Sequence, residues 1–428
     1  MLIACFSFQQ SFTIDTFALD SFPSNIILFI GDGMGLEQIY FGQLVEFGFT
    51  NSSSILSFPY TTTVSTVNID GTTTDSAAAA TAISTGVKTT NGRIATNWNA
   101  KMDLTTILEI AQQNGYVTGL VATCHLTHAT PAAFAAHDSS RGHYQEIAAD
   151  FSQTNVSVML GGGYEEKYIG HYISEFEAWG YEFVQNKTAL ASVADTPVLG
   201  LFTGGSFPPL NTMLENSTIP TLSEMTIKAF DLLNSTEQPF FLMIEGSQID
   251  WAGHDNDQIY LAHQIIEFEN AVRYAKTLAE QNSDWQVLVT ADHETGGFSV
   301  EDYSFQTTIP LDNDSFTEKL NKRTARAQEV EVDWSTGGHT NTEVILAGIG
   351  PFTDQILDAD HHIDTYSIMR QAIDGETDPI GSGFYKGHLP LYVKFLIGLA
   401  SAAMIGTGSY FILKNIIKMK RKGNRKMA

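Results

Sequence analysis

The chain has 428 residues, 43% of them hydrophobic, which is enough for one large domain with a sizeable core. Its formal net charge is −25 at pH 7, and residues 391–428 contribute eight basic and no acidic side chains. The rest of the chain therefore carries 15 basic and 48 acidic side chains, a charge of −33, which excludes nucleic acid as the expected partner. Its two cysteines, Cys5 and Cys124, provide no disulfide framework and do not indicate a redox compartment.

Apolar runs next to acids or histidines give the first signal of the fold. Residues 25–30 form a short apolar run that ends before Asp32, and runs bounded by glycine and aspartate are typical of buried parallel strands. Ligands of open α/β sheets gather beyond the carboxyl ends of the strands, so residues beside such runs are candidate site residues. The arrangement recurs at 240–244 with Glu245 and Asp250, at 287–289 with Asp292 and His293, and at 344–348 shortly after His339.

A serine stands at the start of a predicted helix. Residues 77–80 are an alanine run, and Asp75 and Ser76 before it predict the helix start. The free N–H groups and the positive end of that helix would stabilise an alkoxide or a bound phosphate at Ser76. Taken alone, the segment favours an ordinary helix cap, so its meaning depends on the other motifs.

Strand and helix patterns alternate along the rest of the chain. This alternation predicts an α/β domain over residues 23–373, with a doubly wound, mostly parallel central sheet and helices on both faces. The predicted elements include a helix at 101–114, a strand at 115–123, a long amphipathic helix at 259–281 and a strand at 286–290.

The order of six motifs resembles that of the alkaline phosphatases. The motifs are GDGMG, TDSAAAATA, HATPAA, EGSQIDWAGH, ADHETGG and GGHT, between Gly31 and His339. The resemblance implies two zinc ions and one magnesium ion around a serine nucleophile, with Arg141 binding the phosphate. The implied ligands are Asp250, His254 and His339 for the first zinc, Asp32, Asp292, His293 and Ser76 for the second, and Asp32, Thr130 and Glu245 for magnesium.

The residue types fit these implied roles. Zinc accepts mixed imidazole and carboxylate ligands, and Asp250 and His254 are four residues apart, so one helical turn would place both on one face. Magnesium prefers oxygen ligands, which Thr130 and Glu245 supply. The planar guanidinium of Arg141 matches two phosphate oxygens.

The resemblance also implies the reaction, which is hydrolysis of phosphate monoesters through a phosphoserine at Ser76. Two zinc ions can hold the attacking and leaving oxygens of such a displacement. We expect His128 and Trp251 to contact metal-bound water or the phosphate, and this pair occurs in a subset of the family. His128 leaves the identity of the third metal open, because imidazole suits zinc or cobalt better than magnesium.

Two alternatives use the same residues differently. A phosphodiesterase or a sulfatase can share the metal scaffold, but a sulfatase needs a C/S-x-P-x-R motif that residues 75–80 lack. Glu245 and Thr130 complete a third metal site that is associated with monoesterases. A non-catalytic metal-binding surface protein would be expected to lack the nucleophile or a ligand, and every such position is filled here.

The regions around the catalytic motifs complete the prediction. Residues 299–333 occupy the interval that carries the crown in the family, and their small number predicts a short insertion. The resemblance also implies a homodimer. Residues 374–390 are predicted to be a linker, and residues 1–22 are interpreted as an N-terminal segment with a truncated signal peptide.

The C-terminus predicts a membrane anchor. Residues 395–413 are 19 residues without a charge, so we expect a transmembrane helix over 391–414. The basic tail 415–428 would then be cytoplasmic, and the catalytic domain would face outward into the periplasm or the extracellular space. The alternatives are a buried or interfacial C-terminal helix, and a GPI signal, which would instead end in its apolar segment.

Overall fold

The computed structural model describes residues 25–48, 53–213 and 216–378. The predicted N-terminal segment 1–22, the transmembrane helix 391–414 and the basic tail 415–428 lie outside these residues, as does most of the linker. Within the described ranges, no helix combines the length and the apolar character that crossing a membrane requires. The membrane anchor and the homodimer stay predictions.

The described elements alternate between strands and helices along the chain. The strands are β1 (Asn25–Gly31), β2 (Tyr60–Val64), β3 (Val117–His125), β4 (Val158–Gly162), β5 (Glu182–Val184), β6 (Val198–Leu201), β7 (Phe240–Gly246), β8 (Trp285–Ala291), β9 (Glu294–Thr295), β10 (Phe298–Tyr303), β11 (Val330–Trp334), β12 (His339–Thr340) and β13 (Val344–Ile349). The α-helices are α1 (Leu36–Phe47), α2 (Ser76–Thr85), α3 (Ile107–Gln113), α4 (Ala129–Ala135), α5 (Tyr144–Phe151), α6 (Ile173–Ala178), α7 (Lys187–Ser192), α8 (Leu222–Asn234), α9 (Gln248–Asp255), α10 (Gln258–Gln281), α11 (Phe316–Gln328) and α12 (Ile363–Asp374).

Nine of the described strands form one central sheet in the order β2-β13-β8-β1-β7-β3-β4-β6-β5. Strands β1, β7 and β8 lie together in its middle, pair in parallel, and are buried along their whole length. Their carboxyl ends therefore meet at one edge. Strand β13 pairs antiparallel with both β8 and β2, so the prediction of a parallel strand at 344–348 was wrong in direction.

Helices cover both faces of the sheet. Adjacent residues of β7 show this, because the side chains of successive strand residues point to opposite faces. The ring of Phe240 contacts Phe230 on α8, whereas the ring of Phe241 stacks on Phe134 of α4. Helix α10 packs against α1, α8 and α9, while α2 packs against α4 and α12. The structure thus confirms the α/β fold with a mostly parallel sheet.

The predicted elements match the observed ones except near their ends. The predicted helix 259–281 corresponds to α10 and the predicted strand 286–290 to β8. The predicted helix 101–114 starts too early, because Thr106 caps α3 in a reciprocal capping box with Glu109. Residues 299–333 form little more than the hairpin partners β10 and β11 and the helix α11, which agrees with a short insertion.

Candidate metal centre and nucleophile

Ser76 is the first residue of α2, as the alanine run predicted. Asp75 caps the helix by accepting a hydrogen bond from the Ala78 backbone N–H at 3.0 Å. The Ser76 side chain is 2% exposed, and its Oγ lies 3.4 Å from Nε2 of His293. The helix start therefore presents the hydroxyl to the edge where β1, β7 and β8 end.

Asp32, Asp292 and His293 meet beside that hydroxyl. Their ligand atoms lie within 4.8 Å of one another, and all three residues are fully buried. Nε2 of His293 is 3.5 Å from Oδ1 of Asp32 and 3.3 Å from Oδ2 of Asp292. This nitrogen thus faces three oxygen atoms when Oγ of Ser76 is included.

The hydrogen bonds of Thr295 fix the tautomer of His293. The Thr295 hydroxyl donates its one proton to Oδ1 of Asp250, so it can only accept from Nδ1 of His293, 3.2 Å away. Burial lowers the pKa of His293 to about 3, and the ring is neutral. Nε2 therefore directs a lone pair at the carboxylates of Asp32 and Asp292, an arrangement that a cation would stabilise.

The two carboxylates point to the same conclusion. Neither oxygen of Asp32, nor Oδ2 of Asp292, finds a hydrogen-bond partner within the described part of the chain. Burial raises the pKa of Asp292 to about 6, and burial together with Asp292 raises the pKa of Asp32. Buried anions without partners are rare in proteins, and a bound metal ion is a standard reason for them.

Asp250, His254 and His339 form a second, more exposed cluster. Asp250 and His254 lie one turn apart on α9, and Oδ2 of Asp250 is 3.4 Å from Nε2 of His254. His339 places its Nε2 3.5 Å from Oδ1 of Asp250 and 3.2 Å from Nε2 of His254. The three residues converge on one point.

Backbone carbonyls orient both histidines of this cluster. Nδ1 of His254 donates to the Gly337 carbonyl at 2.8 Å, and Nδ1 of His339 donates to the Thr74 carbonyl at 2.9 Å. Metal-binding histidines commonly donate their second N–H in this way. Hydrogen bonding to Asp250 raises the pKa of His254 to about 9.

Glu245 marks a third cluster at the end of β7. The structure groups its carboxylate with Cys124 and His128, whose ligand atoms lie within 4.8 Å of one another. Thr130, on the first turn of α4, is also fully buried, and its hydroxyl lacks a hydrogen-bond partner among the described residues. The sequence analysis predicted Glu245, Thr130 and His128 as site residues, but it did not place Cys124 in the site.

Arg141 and Trp251 are the remaining predicted site residues. One guanidinium nitrogen is 3.1 Å from Oδ2 of Asp75, and another donates to Nε2 of His128 at 3.3 Å. The side chain remains 30% exposed, so part of the guanidinium is free to meet a ligand. Trp251 is half-buried, and its ring lies 6.0 Å from that of His128 in an edge-on arrangement.

Comparison with known proteins shows what the chain is similar to. The alkaline phosphatase family model matches residues 23–329. Alkaline phosphatase 4 of Bacillus subtilis is 40% identical over 290 residues, which cover 64% of this chain and 62% of that protein. Alkaline phosphatase of Escherichia coli is 30% identical over 416 residues, covering 83% of this chain and 87% of that protein.

The chain belongs to the alkaline phosphatase family. Among solved structures, the alkaline phosphatase of the Antarctic bacterium TAB5 superimposes with a TM-score of 0.71 at 28% identity, covering 83% of this chain and 100% of that one. A histidine-to-glutamate variant of the same enzyme is described with Mg bound in its M3 site. The chain spans about 62% of the length of its Bacillus relative.

Three residues of the candidate site were not predicted as site residues from the sequence. Cys124 lies at the carboxyl end of β3, so the rule that flagged Asp32 and Glu245 would have found it. Thr295 bridges His293 and Asp250, and Asp75 holds Arg141, and both depend on hydrogen bonds between distant segments. No local pattern in the sequence signals such bonds.

Proposed function

We propose that this protein hydrolyses phosphate monoesters to an alcohol and inorganic phosphate through a phosphoserine at Ser76. The observation that carries the proposal is the position of Oγ of Ser76, 3.4 Å from an unprotonated nitrogen of His293. This nitrogen faces the unpartnered carboxylate of Asp32 and the unpartnered Oδ2 of Asp292. A hydroxyl at a helix start, beside a site suited to a cation, has the features of an activated nucleophile.

The three clusters provide ligands for three cations. Asp32, Asp292 and His293 would hold one zinc ion, and a second cluster would hold another through Asp250, His254 and His339. Asp32, Glu245 and Thr130 would bind the third cation, for which the family resemblance implies magnesium. When bound, these ions would stabilise the attacking and leaving oxygens and make water a stronger nucleophile.

The reaction would proceed in two displacements at phosphorus, first by Ser76 and then by water. Oγ of Ser76 loses its proton to solvent and bonds to phosphorus while the bond from phosphorus to the alcohol oxygen breaks. The alcohol oxygen takes up a proton and leaves. A water oxygen then bonds to phosphorus, the bond to Oγ breaks, and Ser76 regains a proton from solvent.

Arg141 positions the phosphoryl group in both steps. One N–H of the guanidinium donates to Asp75 at 3.1 Å and another to His128 at 3.3 Å, so three N–H groups remain to bind two non-bridging phosphate oxygens. Because Asp75 also caps α2, it ties the arginine to the helix that carries Ser76. Nucleophile and phosphate-binding group are thus fixed relative to each other.

Trapping of the phosphoenzyme tests this proposal. The full chain is mixed with a phosphate monoester, quenched in acid, digested and analysed by mass spectrometry. We expect a phosphoserine at Ser76, and we expect Ser76→Ala to remove it and to lower turnover at least about 10³-fold.

Ser84→Ala is the matched control, because Ser84 lies on the same helix and bonds only to backbone carbonyls. It should retain the phosphoenzyme. Equal turnover in Ser76→Ala and the unmodified protein would overturn the proposal.

A further inference from the structure

A thiol lies in the third metal cluster. Cys124, at the carboxyl end of β3, is fully buried, and its Sγ is 3.3 Å from Oε2 of Glu245. The ligand atoms of Cys124, Glu245 and His128 lie within 4.8 Å of one another. This spacing allows one ion to reach the sulfur of Cys124 and the carboxylate of Glu245 together.

The polar atoms around this thiol lack partners. Oε1 of Glu245 and Oγ1 of Thr130 are buried without a hydrogen bond to any described residue. Glu245 and Thr130 are both 0% exposed. Two unsatisfied oxygen atoms beside one thiol indicate that the cluster is built around a cation.

We infer that Cys124 is a ligand of the third cation, and that this site therefore selects zinc or another thiophilic divalent ion over magnesium. The inference rests on the proposed three-cation centre and concerns the identity of one of its ions. It departs from the magnesium that the family resemblance implies.

The chemistry of the donor set decides the choice of metal. Magnesium is bound by oxygen atoms in near-octahedral geometry, and it does not use sulfur ligands. Zinc and cobalt bind thiolate and carboxylate together, which matches Cys124 and Glu245. On coordination the thiol proton leaves to solvent, so two anionic ligands then face a doubly charged ion.

Cobalt spectroscopy on the full chain in detergent tests the inference. Metal is removed with a chelator and cobalt is added back in steps while near-ultraviolet absorption is recorded. Only a thiolate ligand gives sulfur-to-cobalt charge transfer, because carboxylate, imidazole and hydroxyl ligands do not. We expect this band in the unmodified protein and in Cys5→Ser, and we expect Cys124→Ser to lose it.

A competition measurement gives the second readout. With zinc and excess magnesium, we expect three zinc ions per unmodified chain, and two zinc ions and one magnesium ion per Cys124→Ser chain. The preference of the third site for zinc over magnesium should fall at least about tenfold in the variant. The visible cobalt bands of the other two sites show whether the variant has folded.

Each outcome separates this inference from the proposed function. Absence of the band in the unmodified protein with three cobalt ions bound would overturn the thiol ligand, whatever the activity. The same holds if Cys124→Ser keeps the band. If Cys124→Ser fails to fold, the unmodified protein and Cys5→Ser still decide, because the sequence has only two cysteines. A band without a phosphoserine would instead overturn the proposed mechanism.

Discussion

The buried acid Asp32 of the metal clusters differs from Glu294, a buried acid that lies near it. Glu294 accepts hydrogen bonds from Gln38, Gly297, Phe298 and Thr340. Asp32 lies close by in the fold and accepts none from the described residues. The fold thus supplies hydrogen bonds to its buried structural acid and leaves the acid at the site unsatisfied.

The pKa shifts show the same contrast. Burial raises the pKa of Asp292 to about 6, and it also raises the pKa of Glu245 to about 7. Burial acts on Glu109 as well, but hydrogen bonds from His137 and Thr106 lower the pKa of Glu109 overall. A bound cation would supply to these acids the charge that His137 supplies to Glu109.

The contrast is tested most strongly by Asp32→Asn. We expect turnover to fall at least about 10²-fold, because the variant loses a ligand of the metal cluster formed by Asp32, Asp292 and His293. The chelator-treated variant should melt no lower than the chelator-treated unmodified protein, because an unpaired buried carboxylate has been removed. Turnover, metal content and melting temperature are measured together. An unchanged metal content would contradict the assignment of Asp32.

A smaller effect is expected in the stability of the metal-free protein as pH changes. Asp292 and Glu245 have folded pKa values near 6 and 7, above their unfolded values. Their contribution to stability is therefore present at pH 4 and is lost as pH rises through 6 to 7. We expect the chelator-treated protein to lose several degrees of melting temperature over this range. A zinc-loaded sample is the control and should change less.

The smallest effect is expected at the paired acid Glu109. Its Oε1 lies 3.1 Å from Nε2 of His137, and hydrogen bonding to Glu109 helps to raise the pKa of His137 to about 9, against the effect of burial. That stabilisation is fully present below pH 6.5 and is lost as pH rises through 9. Glu109→Gln should cost about 1 kcal/mol near pH 6 and less above pH 9, in denaturant unfolding, with metal content unchanged. A pH-independent loss would contradict the ion pair.

His339 shows where strand patterns predict the site and where they do not. Asp32 and Asp292 directly follow parallel strands and Glu245 lies at the end of one, so the pattern alone placed them at one edge. His339 precedes β13, and a parallel β13 would have carried it to the opposite edge. Because β13 is antiparallel, its start lies beside the end of β8, and the histidine reaches the cluster. Strand direction has no local signature, so only the motif resemblance predicted this placement.

Side-chain contacts between distant segments were the other feature that could not be predicted from the sequence. Asp250 and His254 could be paired from the sequence because one helical turn separates them. The bond from Thr295 to Asp250 and the approach of Cys124 to Glu245 join residues 45 and 121 positions apart. Such contacts depend on packing of the whole sheet, which is why the thiol emerged only with the structure.

Metal dependence of phosphate release tests the central claim most directly. The full chain in detergent is assayed with p-nitrophenyl phosphate and with its methyl diester, after chelation and after zinc and magnesium are added back separately. We expect chelation to abolish monoester turnover, zinc to restore it, and the diester to react much more slowly. Turnover that survives complete removal of metal would contradict the account, and preference for the diester would point to a phosphodiesterase on the same scaffold.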